Sequence, residues 1–175
     1  MRRTNIPFLA LALAAGSLTN AQDVGLLHLG ALRLQFPPTW TFDFSKHPIE
    51  GRGPNGEVTL ITTETRKDAG TPDGERAVKS AVDDFAKGPM AEIAGKHGMK
   101  TERLVTPFTA PPGHVAFSSV AARKSLLGVR RYFIQYIFGG SGELIYITVE
   151  GEGDASIAVQ QLDLVMSTQQ WTDGP

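Results

Sequence analysis

Residues 129–149 limit the possible folds more than any other part of this chain. Along VRRYFIQYIF, residues 129–138, Tyr132, Ile134, Tyr136 and Phe138 alternate onto one face of a predicted strand. Val129, Phe133 and Ile137 fall on the other. A strand that is apolar on both faces must be covered on both, so it belongs at the centre of a sheet with a layer on each side. Gly139, Gly140, Ser141 and Gly142 form a turn signal, and residues 143–149 return with Ile145, Ile147 and Val149 on one face. Strands joined so tightly pair antiparallel.

The rest of the chain supplies the covering layers. Ala77, Val78, Ala81, Val82, Phe85 and Ala86 recur at helical spacing and make one apolar face. Thr71 or Asp73 is the candidate cap, and Gly88-Pro89 ends or kinks this helix before further turns over residues 90–98. A second helix is predicted from a cap at Asp154, with Ala158, Leu162, Val165 and Met166 as its buried stripe and Gln169 as its last candidate position. Residues 24–36 read as a single strand that stops at Pro37-Pro38, and Trp40, Phe42 and Phe44 resume the alternation. The glycines and prolines of residues 47–56 read as a loop ending in an Asn55-Gly56 turn. Further strands are expected over residues 57–65, 101–109 and 114–122. Two helices with one apolar face each, and strands joined by short turns, give an α+β class: one antiparallel sheet with a helix on either face.

The first 21 residues stand apart. Arg2 and Arg3 precede an apolar run from Ile6 to Ala15, and Thr19-Asn20-Ala21 approximates a small-x-small cleavage site. That order is a secretory signal peptide cleaved after Ala21, which predicts export to the periplasm or the medium. Its run of about ten residues is too short for a bilayer core about 30 Å thick. Residues 22–175 are expected to form a single domain with no transmembrane segment. Removing the two arginines leaves 15 basic and 18 acidic residues, a net charge of −3, which argues against a nucleic-acid partner. The chain has no cysteine, which excludes disulfide scaffolds, thiolate metal sites and thiol nucleophiles.

No cofactor, metal or catalytic set is expected from the remaining residues. His28, His47, His97 and His114 have no local metal-ligand spacing, and Gly140-Ser141-Gly142 joins two strands rather than a strand and a helix. Glu150, Glu152 and Asp154 alternate at a strand exit; a weak Ca²⁺ site and acids that favour a helix N-terminus are both open. The candidate contact surface is the turn around Arg123, Lys124, Leu126, Leu127, Arg130 and Arg131, four cations flanking a Leu-Leu tip in an acidic protein. Trp40 and Trp171 either line a ligand cleft or anchor the two chain ends in the core.

The opening LRLQFPPTWTF (residues 32–42), the hairpin RRYFIQYIF…ELIYITVEG and the closing VMSTQQW together resemble PsbP-like domains. The resemblance implies an α-β-α sandwich around an antiparallel sheet and a role in binding or assembly rather than catalysis. The expected function is an exported, non-catalytic module that contacts an unknown protein or cell-envelope component. The alternatives are an immunity or inhibitor protein against an envelope-acting toxin, and a small hydrolase.

Overall fold

The computed structural model describes residues 25–96, 98–124 and 128–172. The leader, His97, and the tip residues Leu126 and Leu127 lie outside the described residues.

The strands are β1 (Leu26–Leu29), β2 (Leu32–Gln35), β3 (Thr41–Asp43), β4 (Ile49–Arg52), β5 (Val58–Thr65), β6 (Lys100–Pro107), β7 (Val115–Lys124), β8 (Arg130–Gly140), β9 (Glu143–Glu152) and β10 (Gln170–Trp171). The helices are α1 (Pro72–Lys87), α2 (Pro89–Lys96) and α3 (Ala155–Ser167). Seven strands form an antiparallel sheet in the order β3-β4-β5-β9-β8-β7-β6. Its centre is the hairpin on which the sequence argument began. Gly140 pairs with Glu143, and Ser141 and Gly142 both take positive φ, at 50° and 75°. This is a two-residue turn whose twist matches that of the strands it joins.

Both faces of the hairpin are covered, as its two-sided apolar pattern requires. Ile134, Tyr136, Phe138, Ile145, Ile147 and Val149 pack with α3 and with Leu32, Leu34 and Phe36. Ile137 and Leu144 face the other way, onto Val78 and Val82 of α1 and Met90 at the start of α2. Thr71 caps α1 by accepting from the Gly74 amide at 3.1 Å, with Pro72 in the first turn. Asp154 caps α3 by accepting from the Ser156 amide at 2.8 Å. The class is α+β with helices on both sides of an antiparallel sheet, as expected.

Three local expectations are corrected. The single sheet is two, because β1, β2 and β10 form a separate three-stranded sheet. The strand expected over residues 24–36 is a hairpin that turns at Gly30 (φ 60°), and a Cβ there would sit 2.2 Å from Glu143 Oε2. The Glu143 carboxylate occupies that space and accepts from the Ala31 amide at 2.7 Å, joining the small sheet to the large one. The loop expected over residues 47–56 contains β4. Gly51, a breaker by residue type, is a buried strand residue where a Cβ would meet Thr59 Cγ2 at 2.4 Å and Phe42 Cε1 at 2.6 Å. It is glycine so that neighbouring side chains can close over it, not so that the chain can turn. The Asn55-Gly56 turn is where the sequence puts it, with Gly56 at φ 85°.

Candidate functional site

A hollow lies between the Phe36–Trp40 segment and α3. It is an open groove of about 560 Å³. Pro37 and Pro38 follow β2, where neither can donate to a ladder, and the Trp40 amide donates back to the Pro37 carbonyl at 3.0 Å in the turn that follows. Trp40 follows, half-buried, with its ring 5.2 Å from Phe36 and 6.3 Å from Phe42. The facing wall is α3, where Leu162 and Val165 point into the core and Leu164 stands 72% exposed at the rim. α3 carries one charged residue, Asp163, and its exposed face also bears Ile157. Leu164 and Ile157 are apolar residues off the buried stripe. That was the available sequence signal for this site, and reading the stripe alone passed over it.

Glu57 lines the groove. It is 5% exposed, and its carboxylate accepts from the Asn55 amide at 2.8 Å and from Asn55 Nδ2 at 3.1 Å. Gly53 provides the space: a Cβ there would lie 2.4 Å from Glu57 Oε2 and 2.8 Å from Trp40 Cζ2. The carboxylate and the indole edge are therefore neighbours. Glu57 also acts on Tyr132, whose hydroxyl is pushed up to about 12, first by burial and then by this carboxylate. A raised folded pKa keeps its stabilising contribution below the unfolded value near 10 and loses it as pH climbs towards about 12. Urea unfolding at stepped alkaline pH should show stability falling across that window, and Tyr132→Phe should make the fall shallower. An unchanged slope in the variant would remove Tyr132 from the account.

Of the two tryptophans, Trp40 lines the groove and Trp171 does not. Trp171 pairs with Leu32 across β10 and β2 and lies 4.3 Å from the His114 ring, where Gly140 leaves room for the imidazole. It clamps the chain end to the small sheet.

The cationic hairpin is formed by the ends of β7 and β8. In register, Arg123 faces Arg131 and Lys124 faces Arg130, two like-charge cross-strand pairs. Such pairs disfavour the hairpin unless offset. Glu152 meets Arg131 at 2.8 Å and Glu102 meets Arg130 at 2.9 Å. Both ion pairs are about half exposed, so each contributes little in solvent, about 0–1 kcal/mol. The three carboxylates at the β9 exit divide their roles. Glu152 pairs with Arg131, Asp154 caps α3, and Glu150 is exposed. Hydrogen bonds from the Ser156 hydroxyl and amide hold the Asp154 carboxyl below its usual range. His28 lies on β1, His47 in the β3–β4 turn and His114 before β7. Among the described residues no group of three His, Asp or Glu is placed to hold a metal ion.

A third polar cluster ties the layers together beneath α3. Asp163 accepts the Tyr136 hydroxyl at 2.6 Å and both Arg103 terminal nitrogens at 2.9 and 3.3 Å. Burial, followed by this bond, pushes the Tyr136 hydroxyl well above the ordinary phenol range.

No family model matches the sequence, and no curated relative matches it. Solved structures do. The cyanobacterial PsbP (CyanoP) of Synechocystis sp. PCC 6803 matches at TM-score 0.56 and 13% identity, over 90% of this chain and 99% of that one. LpqN of Mycobacterium tuberculosis, described as involved in cell envelope biogenesis, gives a TM-score of 0.49 at 12% identity, over 81% of this chain and 83% of that one. A Bacteroides thetaiotaomicron protein gives 0.45 at 11% identity, and this chain spans 45% of its length. At these identities the likeness is one of fold. The seven-stranded antiparallel sheet between α1–α2 and α3, matched over nearly the whole of CyanoP, gives this chain a PsbP-like fold.

Proposed function

We propose that the protein is an exported, non-catalytic binding module that holds a protein or cell-envelope component, with the Trp40 groove as its main contact surface. One observation carries this reading: an apolar rim residue, Leu164, left 72% exposed beside a half-buried tryptophan over a groove of about 560 Å³. Hollows of this size and lining take small or side-chain-sized apolar groups, and contiguous exposed apolar surface marks contact sites. The PsbP-like fold supports binding over catalysis by analogy. Export rests on the N-terminal leader; no helix among the described residues is long and apolar enough to cross a membrane.

The Arg123, Lys124, Leu126, Leu127, Arg130 and Arg131 hairpin is the second reading. The facing of Arg123 with Arg131 and of Lys124 with Arg130 favours it, because four cations gathered at one hairpin suit an anionic partner even with Glu102 and Glu152 beside them. One experiment separates the two surfaces. Protein lacking the leader is used to capture partners from its native envelope fraction, as wild type, Leu164→Asp, and Leu126→Asp with Leu127→Asp. Leu164→Asp should melt within about 0.5 kcal/mol of wild type, as exposed substitutions do, and should lose a partner that the hairpin variant retains. Loss with the hairpin variant alone would move the contact to the hairpin, and full retention by both would overturn the reading.

A further inference from the structure

We infer that the groove selects an organic cation: an apolar body carrying an ammonium group, seated with the ammonium beside Glu57 and Trp40. The inference rests on the groove being the contact surface and adds the chemistry of its occupant.

Charge complementarity gives the argument. The groove contains one ionisable side chain, Glu57, and no lysine, arginine or histidine lines it. Buried carboxylates are ordinarily paired with a cation, because an isolated one is costly to desolvate. Glu57, at 5% exposure, has only neutral Asn55 donors and no ion-pair partner among the described residues. The opposite wall adds the same sign. It includes the C-terminal half of α3, where the aligned peptide dipoles place partial negative charge, and no basic residue occupies that last turn to offset it.

The remaining lining fits an amine-bearing ligand. Trp40 stands next to the carboxylate with its ring edge towards it, and tryptophan is the side chain whose face attracts ammonium groups most strongly. Gln35, Thr39 and Gln161 line the groove with neutral polar side chains. A phosphate or carboxylate head would meet a carboxylate and a helix C-terminus, with no cation to receive it.

Three probes of one chain length isolate the charge: octyltrimethylammonium, octanol and octanoate, each titrated below its micelle concentration and followed by calorimetry and tryptophan fluorescence. The cation should bind about tenfold more tightly than octanol and octanoate more weakly than either, a gap of the size that a partly desolvated cation–aromatic and carboxylate contact supplies. Glu57→Gln removes the charge and keeps one of the two oxygens that accept from Asn55; it should bring the cation level with octanol, while Trp40→Leu should weaken the cation more than octanol. A melting curve confirms that each variant is folded. Octanoate binding as well as the cation, or Glu57→Gln leaving the cation preference unchanged, would overturn the inference, as would no binding of any probe. If Leu164→Asp abolishes partner capture while the three probes bind equally, the groove remains the contact surface and only the charge assignment fails.

Discussion

Ile134→Ala is expected to destabilise the folded domain by about 2–5 kcal/mol, the usual cost of emptying a buried isoleucine site. Its side chain is fully buried in β8, in register with Val149 on β9 and Val120 on β7. All three belong to the core that also holds Leu32, Leu34 and Leu162. The space left behind is therefore walled by two sheets and a helix, and no single element can move in to fill it. In a domain of this size the loss lowers Tm by about 5–15 °C. Ile137, the equally buried residue on the opposite face, packs against Val78, Val82 and Met90. It tests the second layer on its own. Urea unfolding of the two variants should show both destabilised, with the double variant close to additive, because the sheet separates the sites. A loss under about 1 kcal/mol for Ile134→Ala would mean that β8 is not the central covered strand.

Asp163→Ala is the second large effect expected, at about 2–4 kcal/mol. The carboxylate joins three elements: α3, which carries it, β8 through the Tyr136 hydroxyl, and β6 through Arg103. Arg103 and Asp163 are each under a third exposed, so solvent makes good little of what is removed. Without the acid, the buried Tyr136 hydroxyl loses its acceptor and Arg103, whose Nε already has no partner, loses its counter-charge. Stranding a buried donor costs more than the bond contributes net. The coupling is measurable. Tyr136→Phe should cost less in the Asp163→Ala background than in wild type, by about 0.5–3 kcal/mol. Equal costs in the two backgrounds would show that the hydroxyl and the carboxylate act independently.

The central hairpin, α1, α3 and the Asp154 cap could be read from the sequence because each has a local cause, whereas α2 is expected only as further turns past Gly88-Pro89 and the α1 cap only as Thr71 or Asp73. Alternation places Ile134 and Ile137 on opposite faces, and Asp154 sits directly before a helical stripe. What could not be read depended on distant neighbours. Gly51 looks like a breaker until Phe42 and Thr59 are seen to close over it, and Gly30 hides a turn whose partner, Glu143, lies 113 positions further on. Nor does local pattern separate a three-stranded sheet from a seven-stranded one, because β10 is only two residues long. The groove was half legible. Trp40 stood out by residue type, whereas Glu57 looked like the first residue of an ordinary strand. Its burial and its place beside the indole come from Gly53 and the Asn55-Gly56 turn. The cations of the β7–β8 turn stand together in the sequence, whereas one of their acid partners, Glu102, comes from β6, a separate strand.

The most direct measurement of the central claim is position-specific photo-crosslinking in the native envelope fraction. A photoreactive side chain replaces Leu164 on the groove rim or, as a control, Leu104 on β6. The two are similarly exposed, at 72% and 75%, and belong to different hollows of the molecule. The expected result is a discrete adduct from position 164 that Trp40→Leu diminishes, with none from position 104. An adduct from 104 but not from 164, or a 164 adduct indifferent to Trp40, would contradict the assignment of the Trp40 groove as the binding surface.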